Sequence, residues 1–322
     1  MLTTNQSKSA NKLYFVVFIL CNFLFLQVLS QQDSSIFSAV KKNDLNAIKN
    51  LIDKGVELNS TDEEGDPLIM NAAIYASTEI MELLLKNSAN PNALNKDGET
   101  ALMWAVHDLE KIKLLIKFGA DINAKANTGN TPLLIACVGN DQKETITFLL
   151  ENGADPLIKN KREETALMRT ALFGDSATLS LLLNKGMDIN AKDKEGLTAL
   201  INALFNVNRE ATFFLLDHGA DPDLVAAFGL NAVTSVVTYN DLPSVLAVIN
   251  KTKNINTVDE QGISALMWAA YNEHDNIEII RALLDKGANP KIVSKNGETA
   301  LSWAQKKGNT KTVALLKNAG AQ

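Results

Sequence analysis

The chain has 322 residues, of which 46% are hydrophobic, 21% charged and 6% aromatic, and its formal charge is −6. This composition is that of a globular protein and excludes a disordered, collagen-like or disulfide-rich chain. The acidic balance, without a long cluster of basic residues, argues against nucleic acid as the partner.

The N-terminus carries the pattern of an export signal. Residues 1–12 are polar with two lysines, residues 13–29 are apolar (LYFVVFILCNFLFLQVL), and polar residues follow Ser30. These are the three regions of a secretory signal, and Val28 and Ser30 suit positions −3 and −1 of a cleavage site. We therefore predict a signal peptide, folded as a helix, over residues 1–30.

The alternative is an uncleaved membrane anchor formed by residues 13–29. This run has 17 residues and includes Asn22 and Gln27, so it is short and polar for a helix that needs about 20 apolar residues. Both interpretations predict export of the chain after residue 30, to the periplasm or the medium, with membrane contact only through residues 13–29 if they are retained. Cleavage would leave Cys137 as the remaining cysteine and exclude an internal disulfide, which a periplasm permits.

The rest of the chain is a repeat with a period near 33 residues. Residues 98–105 (GETALMWA) recur as residues 297–304 (GETALSWA), and the intervals between successive copies are 31 to 35 residues. A second block, Leu-Leu-x-x-Gly-Ala-Asp/Asn, closes most units. The further copies begin at Glu64, Gly129, Glu163, Gly196, Gly229 and Gly262.

Each unit has the pattern of a turn, a short helix, a longer helix and another turn. Thr100 or Thr131 precedes the first helix as an N-cap, and Pro132 suits the first helical position, where no N–H is needed. Apolar residues of the second helix recur at helical spacing, as in Ile277, Ile280 and Leu283. The glycine that follows can adopt the left-handed conformation that ends a helix.

This pattern resembles the ankyrin repeat family, whose 33-residue unit is a β-turn and two helices with the motif Thr-Pro-Leu-His-x-Ala. The resemblance implies an all-α solenoid of about nine helix-turn-helix units with short β-turn or hairpin tips. The histidine of the family motif is absent, so its inter-repeat hydrogen bonds are replaced in our prediction by apolar packing. The replacing residues are Met103, Leu134, Met168, Ile201, Met267 and Ser302.

We predict one repeat domain over residues 34–322. Residues 34–63 form an N-terminal cap, residues 64–296 seven repeats, and residues 297–322 a C-terminal cap repeat whose lysines suit a solvated end. The shorter repeat two and the longer repeat seven differ from the others in the turn between their helices.

The sequence offers no catalytic, cofactor-binding or metal-binding motif. A nucleophile elbow, a phosphate loop, a dinucleotide fingerprint and a His-Glu-x-x-His motif are all absent. The three histidines (His107, His218 and His274) lie at non-equivalent positions of different repeats, and Cys137 replaces a core alanine. We therefore predict a non-enzymatic chain without cofactor or metal; an enzymatic effector would need a catalytic segment outside the repeats.

The family binds proteins through its turn tips and the concave face of its first helices, so the resemblance implies a protein partner there. Just beyond the small residues of the first helix, repeats four to seven carry an aromatic residue each. The residue after the leading glycine becomes apolar in repeats five to seven, and the tip of repeat six (residues 226–228) is apolar throughout. The predicted protein-binding residues are Phe173, Phe205, Tyr239, Tyr271, Leu197, Phe228, Leu230 and Ile263.

There is an alternative interpretation of these residues. The aromatic side chains could instead complete the core between neighbouring helices, and we interpret Trp104, Trp268 and Trp303 in that way, as packing between repeats.

The favoured function is a monomeric, exported interaction scaffold. The alternatives are a membrane-anchored envelope assembly factor and a secreted effector or inhibitor that acts on another cell's protein. Fold-level analogy does not name the partner.

Overall fold

Every regular element of the described chain is a helix, and the helices come in pairs that match the repeat. The computed structural model describes residues 35–139, 141–272 and 275–321, and these divide into two compact units, with the boundary between Asn127 and Thr128. The predicted signal over residues 1–30 lies outside the described residues. The prediction of an all-α repeat fold is confirmed.

The helices of the first unit are α1 (residues 35–41), α2 (Leu45–Asp53), α3 (Leu68–Tyr75), α4 (Thr78–Lys86), α5 (Ala101–Trp104) and α6 (Leu109–Lys117). Those of the second unit are α7 (Pro132–Ala136), α8 (Lys143–Glu151), α9 (Ala166–Phe173), α10 (Ser176–Asn184), α11 (Ala199–Phe205), α12 (Arg209–Asp217), α13 (Ala232–Val236), α14 (Leu242–Lys251), α15 (Ala265–Tyr271), α16 (Ile277–Asp285), α17 (Ala300–Lys307) and α18 (Thr310–Asn318). Two short 3₁₀ helices, Ala227–Gly229 and Val237–Tyr239, lie in repeat six.

The helix pairs of the second unit stack in two layers. First helices contact one another in the order α7, α9, α11, α13, α15 and α17, and second helices contact in the order α8, α10, α12, α14, α16 and α18. Each repeat therefore packs on its sequence neighbours, which is the arrangement of a solenoid.

Caps fix where the first helices begin. The hydroxyl of Thr131 accepts a hydrogen bond from Leu134 N at 3.3 Å, and Thr165 and Thr198 cap in the same way. Pro132 occupies the first turn, as predicted. The prediction is wrong for Thr100, which precedes α5 but whose buried hydroxyl caps nothing within the described part of the chain.

The core lies between the two layers. Most residues that replace the motif histidine are buried, as we predicted: Met103, Leu134, Met168, Ile201 and Met267. In the C-terminal cap, Ser302 is half-buried and forms a capping box with Thr299 instead. Burial of these large apolar side chains supplies stability that depends on close packing with the adjacent repeat.

Backbone hydrogen bonds between turn tips connect the repeats one period apart. Lys194 N donates to Arg162 O, Ala227 N to Glu195 O, and Glu260 N to Phe228 O, at 2.7 to 3.0 Å. The backbones of neighbouring tips lie so close together that a Cβ on Gly229 would lie 2.6 Å from Asp259 Cα. The tips of the second unit thus form a continuous ladder that holds each exposed turn in register with the next.

The tip of repeat six has a different turn from its neighbours. In repeat five, Asp193 Oδ1 accepts hydrogen bonds from Glu195 N and Leu197 N, which holds the turn in place; Asp259 does the same in repeat seven. Repeat six has Ala226 at this position, so Leu230 N donates to Ala227 O and Phe228 takes a left-handed conformation with φ 61°. The lost side-chain acceptor explains why this turn departs from the repeat.

Candidate functional site

The four predicted aromatic residues lie at the ends of first helices, and all are exposed. The exposed fractions are 45% for Phe173, 36% for Phe205, 46% for Tyr239 and 37% for Tyr271. The alternative in which these rings complete the core does not hold. Whether they bind a partner stays a prediction.

The structure brings only Tyr239 and Tyr271 into one cleft, while Phe173 borders separate hollows beside α10 and α12. The four rings also differ in helical register. Phe173 and Tyr239 follow the N-cap residue of their repeat by eight positions, whereas Phe205 and Tyr271 follow it by seven. One helical residue corresponds to a rotation of about 100°, so successive rings do not form a single uniform strip.

The predicted apolar positions at the turn tips are less exposed than the aromatic ones. Leu197, Leu230 and Ile263 are half-buried, and their carbonyls close the turns by accepting hydrogen bonds from the N–H groups of residues 193, 226 and 259. Phe228 is 77% exposed and Ala227 before it is exposed too, but Ala226 is buried. The exposed apolar tip thus consists of Ala227 and Phe228 rather than of all three residues.

Our interpretation of the tryptophans as inter-repeat core is wrong for Trp104 and holds in part for the other two. Trp104 is 45% exposed, and its indole N–H donates to Glu99 Oε2 at 3.0 Å. Trp268 and Trp303 are half-buried and contact each other across the repeat boundary, with ring centroids 5.5 Å apart and planes at 81°.

The residues at the equivalent position of other repeats indicate that this position is not core. The equivalent residues of repeats four and five are Arg169 and Asn202, and both are half-buried. A position that accepts Arg, Asn and Trp in different repeats borders solvent, because the three residues before it already fill the core.

We call the hollow lined by Tyr239, Trp268, Tyr271 and Lys307 the aromatic cleft. Trp303 contacts Trp268 and Tyr271. The volume of the cleft is about 500 Å³, and Thr238, Asn240 and Asn272 complete the wall. The ring centroids of Tyr271 and Trp303 are 5.2 Å apart, and Lys307 Nζ lies 4.4 Å from the Tyr271 centroid. Aromatic clusters of this kind carry much of the energy of protein interfaces.

A polar cluster also lies in the layer of first helices, around Arg169 of repeat four. Arg169 donates to Glu164 Oε2 from Nη2 at 2.8 Å and from Nε at 3.1 Å, and Asn160 Nδ2 donates to the same oxygen at 2.7 Å. Burial alone would raise the pKa of Glu164, but the hydrogen bonds and charge of Arg169, with Asn160, hold that pKa below its ordinary value. Arg169 also donates to Leu134 O in the preceding repeat at 3.1 Å, so the cluster ties two repeats together.

The described residues offer little for catalysis or metal binding. Within them, no group of His, Cys, Asp and Glu could hold a metal ion. Burial raises the pKa of the Cys137 thiol to about 11, as expected of a packed cysteine. His218 stacks on Phe214 at 3.9 Å and hydrogen-bonds Phe214 O at the end of its helix, whereas His274 lies outside the described residues. That the chain has no enzymatic activity stays a prediction.

The layers of helix pairs, their 33-residue period and their laddered turn tips define a helical repeat solenoid. The chain belongs to the ankyrin repeat family: a family model of three ankyrin repeats matches residues 36–126, 107–160, 133–226 and 232–322. Ankyrin repeats are in general modules of protein–protein interaction.

Curated relatives carry the same repeats in different settings. The chain is 34% identical over 138 residues to an ankyrin repeat protein of fowlpox virus (41% of this chain, 40% of the relative) and 36% identical over 124 residues to one of Rickettsia bellii (37% and 67%). It is 30% identical over 146 residues to the mitochondrial disaggregase of Bos taurus (43% and 21%). The chain spans 21–40% of the length of these fowlpox and bovine relatives, so the similarity concerns the repeats.

Among the helices of the described ranges, none has both the length and the apolarity needed to cross a bilayer.

Proposed function

We propose that this chain is a non-catalytic scaffold that binds a protein partner through the first-helix face of repeats four to seven and the adjoining turn tips. The observation that carries the proposal is the aromatic cleft, in which Tyr239 and Tyr271 from consecutive repeats are exposed beside half-buried tryptophans. The family supports it, because ankyrin repeats serve generally in protein–protein interaction.

The mechanism is rigid presentation of side chains. The tip ladder and the two helix layers hold the exposed rings before a partner arrives, so little conformational entropy is lost on docking. A stable interface buries roughly 1,200–2,000 Å² in total, which requires several adjacent repeats. Phe173, Phe205 and Phe228 would then contact the partner around the cleft.

The test is partner capture by a double variant. Replacement of Tyr239 and Tyr271 by Ala should abolish capture of the partner that the native chain retains, while thermal unfolding changes little because both side chains are exposed. Tyr75→Ala is the matched control, since Tyr75 is also an exposed tyrosine at the end of a first helix, in repeat one, and it should leave capture intact. A double variant that captures its partner as the native chain does would refute the proposal.

We also propose that the chain is exported. The pattern of residues 1–30 supports this proposal, and intact mass of the protein from fractionated cells tests it. A soluble species that begins at Gln31 outside the cytoplasm is the expected result. A full-length species in the membrane would favour an anchored assembly factor, and a full-length cytosolic species would refute export.

A further inference from the structure

The chain contains two Asn-Gly pairs, Asn152-Gly153 and Asn296-Gly297, and the fold holds them differently. An Asn-Gly pair can cyclise, because glycine has no side chain to keep its backbone nitrogen away from the asparagine side chain. Asparagine is accordingly one of the thermolabile residues. The two pairs share this chemistry and differ in the backbone that surrounds them.

Asn152 is fixed at the C-terminal end of α8. Its backbone N–H donates to Phe148 O at 3.1 Å and to Leu149 O at 3.2 Å, and its side-chain Nδ2 donates to Phe148 O at 2.8 Å. The side-chain amide is thus bonded to the helix. That bond must break before the side chain can turn toward the nitrogen of Gly153.

Asn296 lies in an exposed turn tip of the C-terminal cap, between Ser294 and Gly297. Gly297 N donates to Ser294 O at 3.0 Å, and Lys295 N donates to Gln261 O of the preceding tip at 2.8 Å. Within the described residues, neither the backbone N–H nor the side-chain amide of Asn296 has a hydrogen bond. The asparagine itself is therefore held only through its neighbours.

This tip is held more weakly than its equivalents because serine replaces a longer side chain. In repeats five and seven, Asp193 and Asp259 each accept two backbone hydrogen bonds at 2.8–3.0 Å, one of them from the residue equivalent to Asn296. The side chain of Ser294 is shorter, and among the described residues its hydroxyl accepts from Glu298 N alone, at 3.2 Å. Since fewer bonds hold this turn, it opens locally at lower cost than the neighbouring tips.

The surroundings of the tip leave room for the reaction. In the described chain, a Cβ on Gly297 would meet no atom within 4 Å, whereas a Cβ on Gly229 would lie 2.6 Å from Asp259 Cα. Asn296 is also exposed. The turn can therefore rearrange and admit water without displacing a neighbouring tip.

We propose that Asn296 is a deamidation site, at which the folded chain converts an amide to a carboxylate without an enzyme. When the turn opens, the nitrogen of Gly297 attacks Cγ of Asn296. The new N–Cγ bond replaces the Cγ–Nδ2 bond, and ammonia leaves with the proton of the Gly297 N–H. Water then adds to one of the two carbonyls of the cyclic imide and cleaves its C–N bond, which yields aspartate or isoaspartate with one additional negative charge.

The two products fit the tip differently. Aspartate already occupies the equivalent position in repeat two, as Asp97, where Gly98 N donates to Asn95 O at 3.0 Å. The aspartyl product therefore preserves the turn. Isoaspartate adds a methylene to the backbone inside the turn, so it should break the bond from Gly297 N to Ser294 O.

The test follows both Asn-Gly pairs in the full chain. The protein is incubated at pH 8 and digested in acid, and peptide mass mapping measures the amide-to-acid mass increase against a sample taken at time zero. In the folded chain, Asn296 should convert roughly tenfold faster than Asn152. In urea, the two rates should agree within about threefold, because the fold no longer distinguishes the pairs. Equal rates in the folded chain, or no conversion of Asn296 there, would overturn the inference.

Replacement of Ser294 tests the physical cause. Ser294→Asn restores a side chain that accepts two backbone bonds, as Asn95 and Asn160 do in repeats two and four, without adding charge. Conversion of Asn296 in the folded chain should slow about fivefold, and the rate in urea should not change. Ser294→Ala is the opposite variant and should speed conversion about twofold. Circular dichroism melts show that each variant remains folded, and equal rates in both would refute the role of the turn.

Discussion

Replacement of Phe228 by asparagine should stabilise the second unit. Phe228 has φ 61° and ψ 16°, and Gly229 after it has φ 78°. Two successive residues with positive φ form a type I′ turn, for which Asn-Gly is a preferred sequence. An ordinary side chain in this left-handed region costs roughly 1–2 kcal/mol, whereas asparagine tolerates it.

The gain should be about 1 kcal/mol, because the Phe228 ring is 77% exposed and loses little packing when removed. For a cooperative unit of this size that gain corresponds to a rise in Tm of about 2 °C. Repeat arrays unfold locally, so hydrogen exchange is the sharper assay. The N–H of Glu260, which donates to Phe228 O at 3.0 Å, should exchange about fivefold more slowly.

Gln261→Asn is the matched control for this substitution. Gln261 occupies the same tip position in repeat seven and precedes Gly262, but it does not have a positive φ. The same replacement there should leave Tm unchanged within error. If Phe228→Asn lowers or fails to raise Tm while the control is neutral, the strain at this tip has been assigned wrongly.

Three further predictions concern stability and reactivity. Leu215→Ala should destabilise the second unit by about 2–5 kcal/mol in urea titrations, because Leu215 is fully buried, whereas Leu157→Ala at an exposed site should cost less than about 0.5 kcal/mol. Arg169→Met should cost about 1–2 kcal/mol by leaving Glu164 without its charged donor. The lowered pKa of Glu164 stabilises the fold above its unfolded-state pKa, and this contribution is lost as pH falls through the folded-state pKa, so the acid side of the stability profile should flatten in the variant. Cys137 should resist iodoacetamide in the native chain at pH 8 and react after unfolding, as read by peptide mass mapping, because its thiol pKa is about 11.

Each of these has an opposing outcome. Equal losses for the two leucine variants would contradict the burial assigned to them, and an unchanged acid limit after Arg169→Met would show that the ion pair does not stabilise the fold. Native labelling of Cys137 at the rate of a free thiol would contradict its burial.

The sequence was sufficient to predict the helices and much of the core, because each position of the repeat occurs several times along the chain. A threonine before Ala-Leu and a glycine after Leu-Leu are local rules for caps and turns, and they hold for Thr165 as for Thr198. The threonine rule fails at Thr100, where the first helix has only four residues. Side-chain exposure on the first-helix face was harder to predict, since it depends on one residue of helical register. That single residue separates Phe173 from Phe205. Trp104 lies outside the core for a different reason: its position in the repeat borders solvent, as Arg169 and Asn202 show at the equivalent positions.

Several departures from the repeat lie in repeats six and seven and in the C-terminal cap. Ala226 removes the side-chain acceptor that shapes the neighbouring tips, Phe228 takes a backbone conformation unfavourable to it, and tryptophan replaces the polar residues of repeats four and five at Trp268 and Trp303. None of these changes is required for stacking, because Asp193 and Asn202 serve the same positions without strain. Since each repeat is held mainly by its neighbours, the array can tolerate such changes in one place without losing its fold. The local rule broken at the exposed Phe228 is therefore better explained by a binding role of this turn tip than by stability.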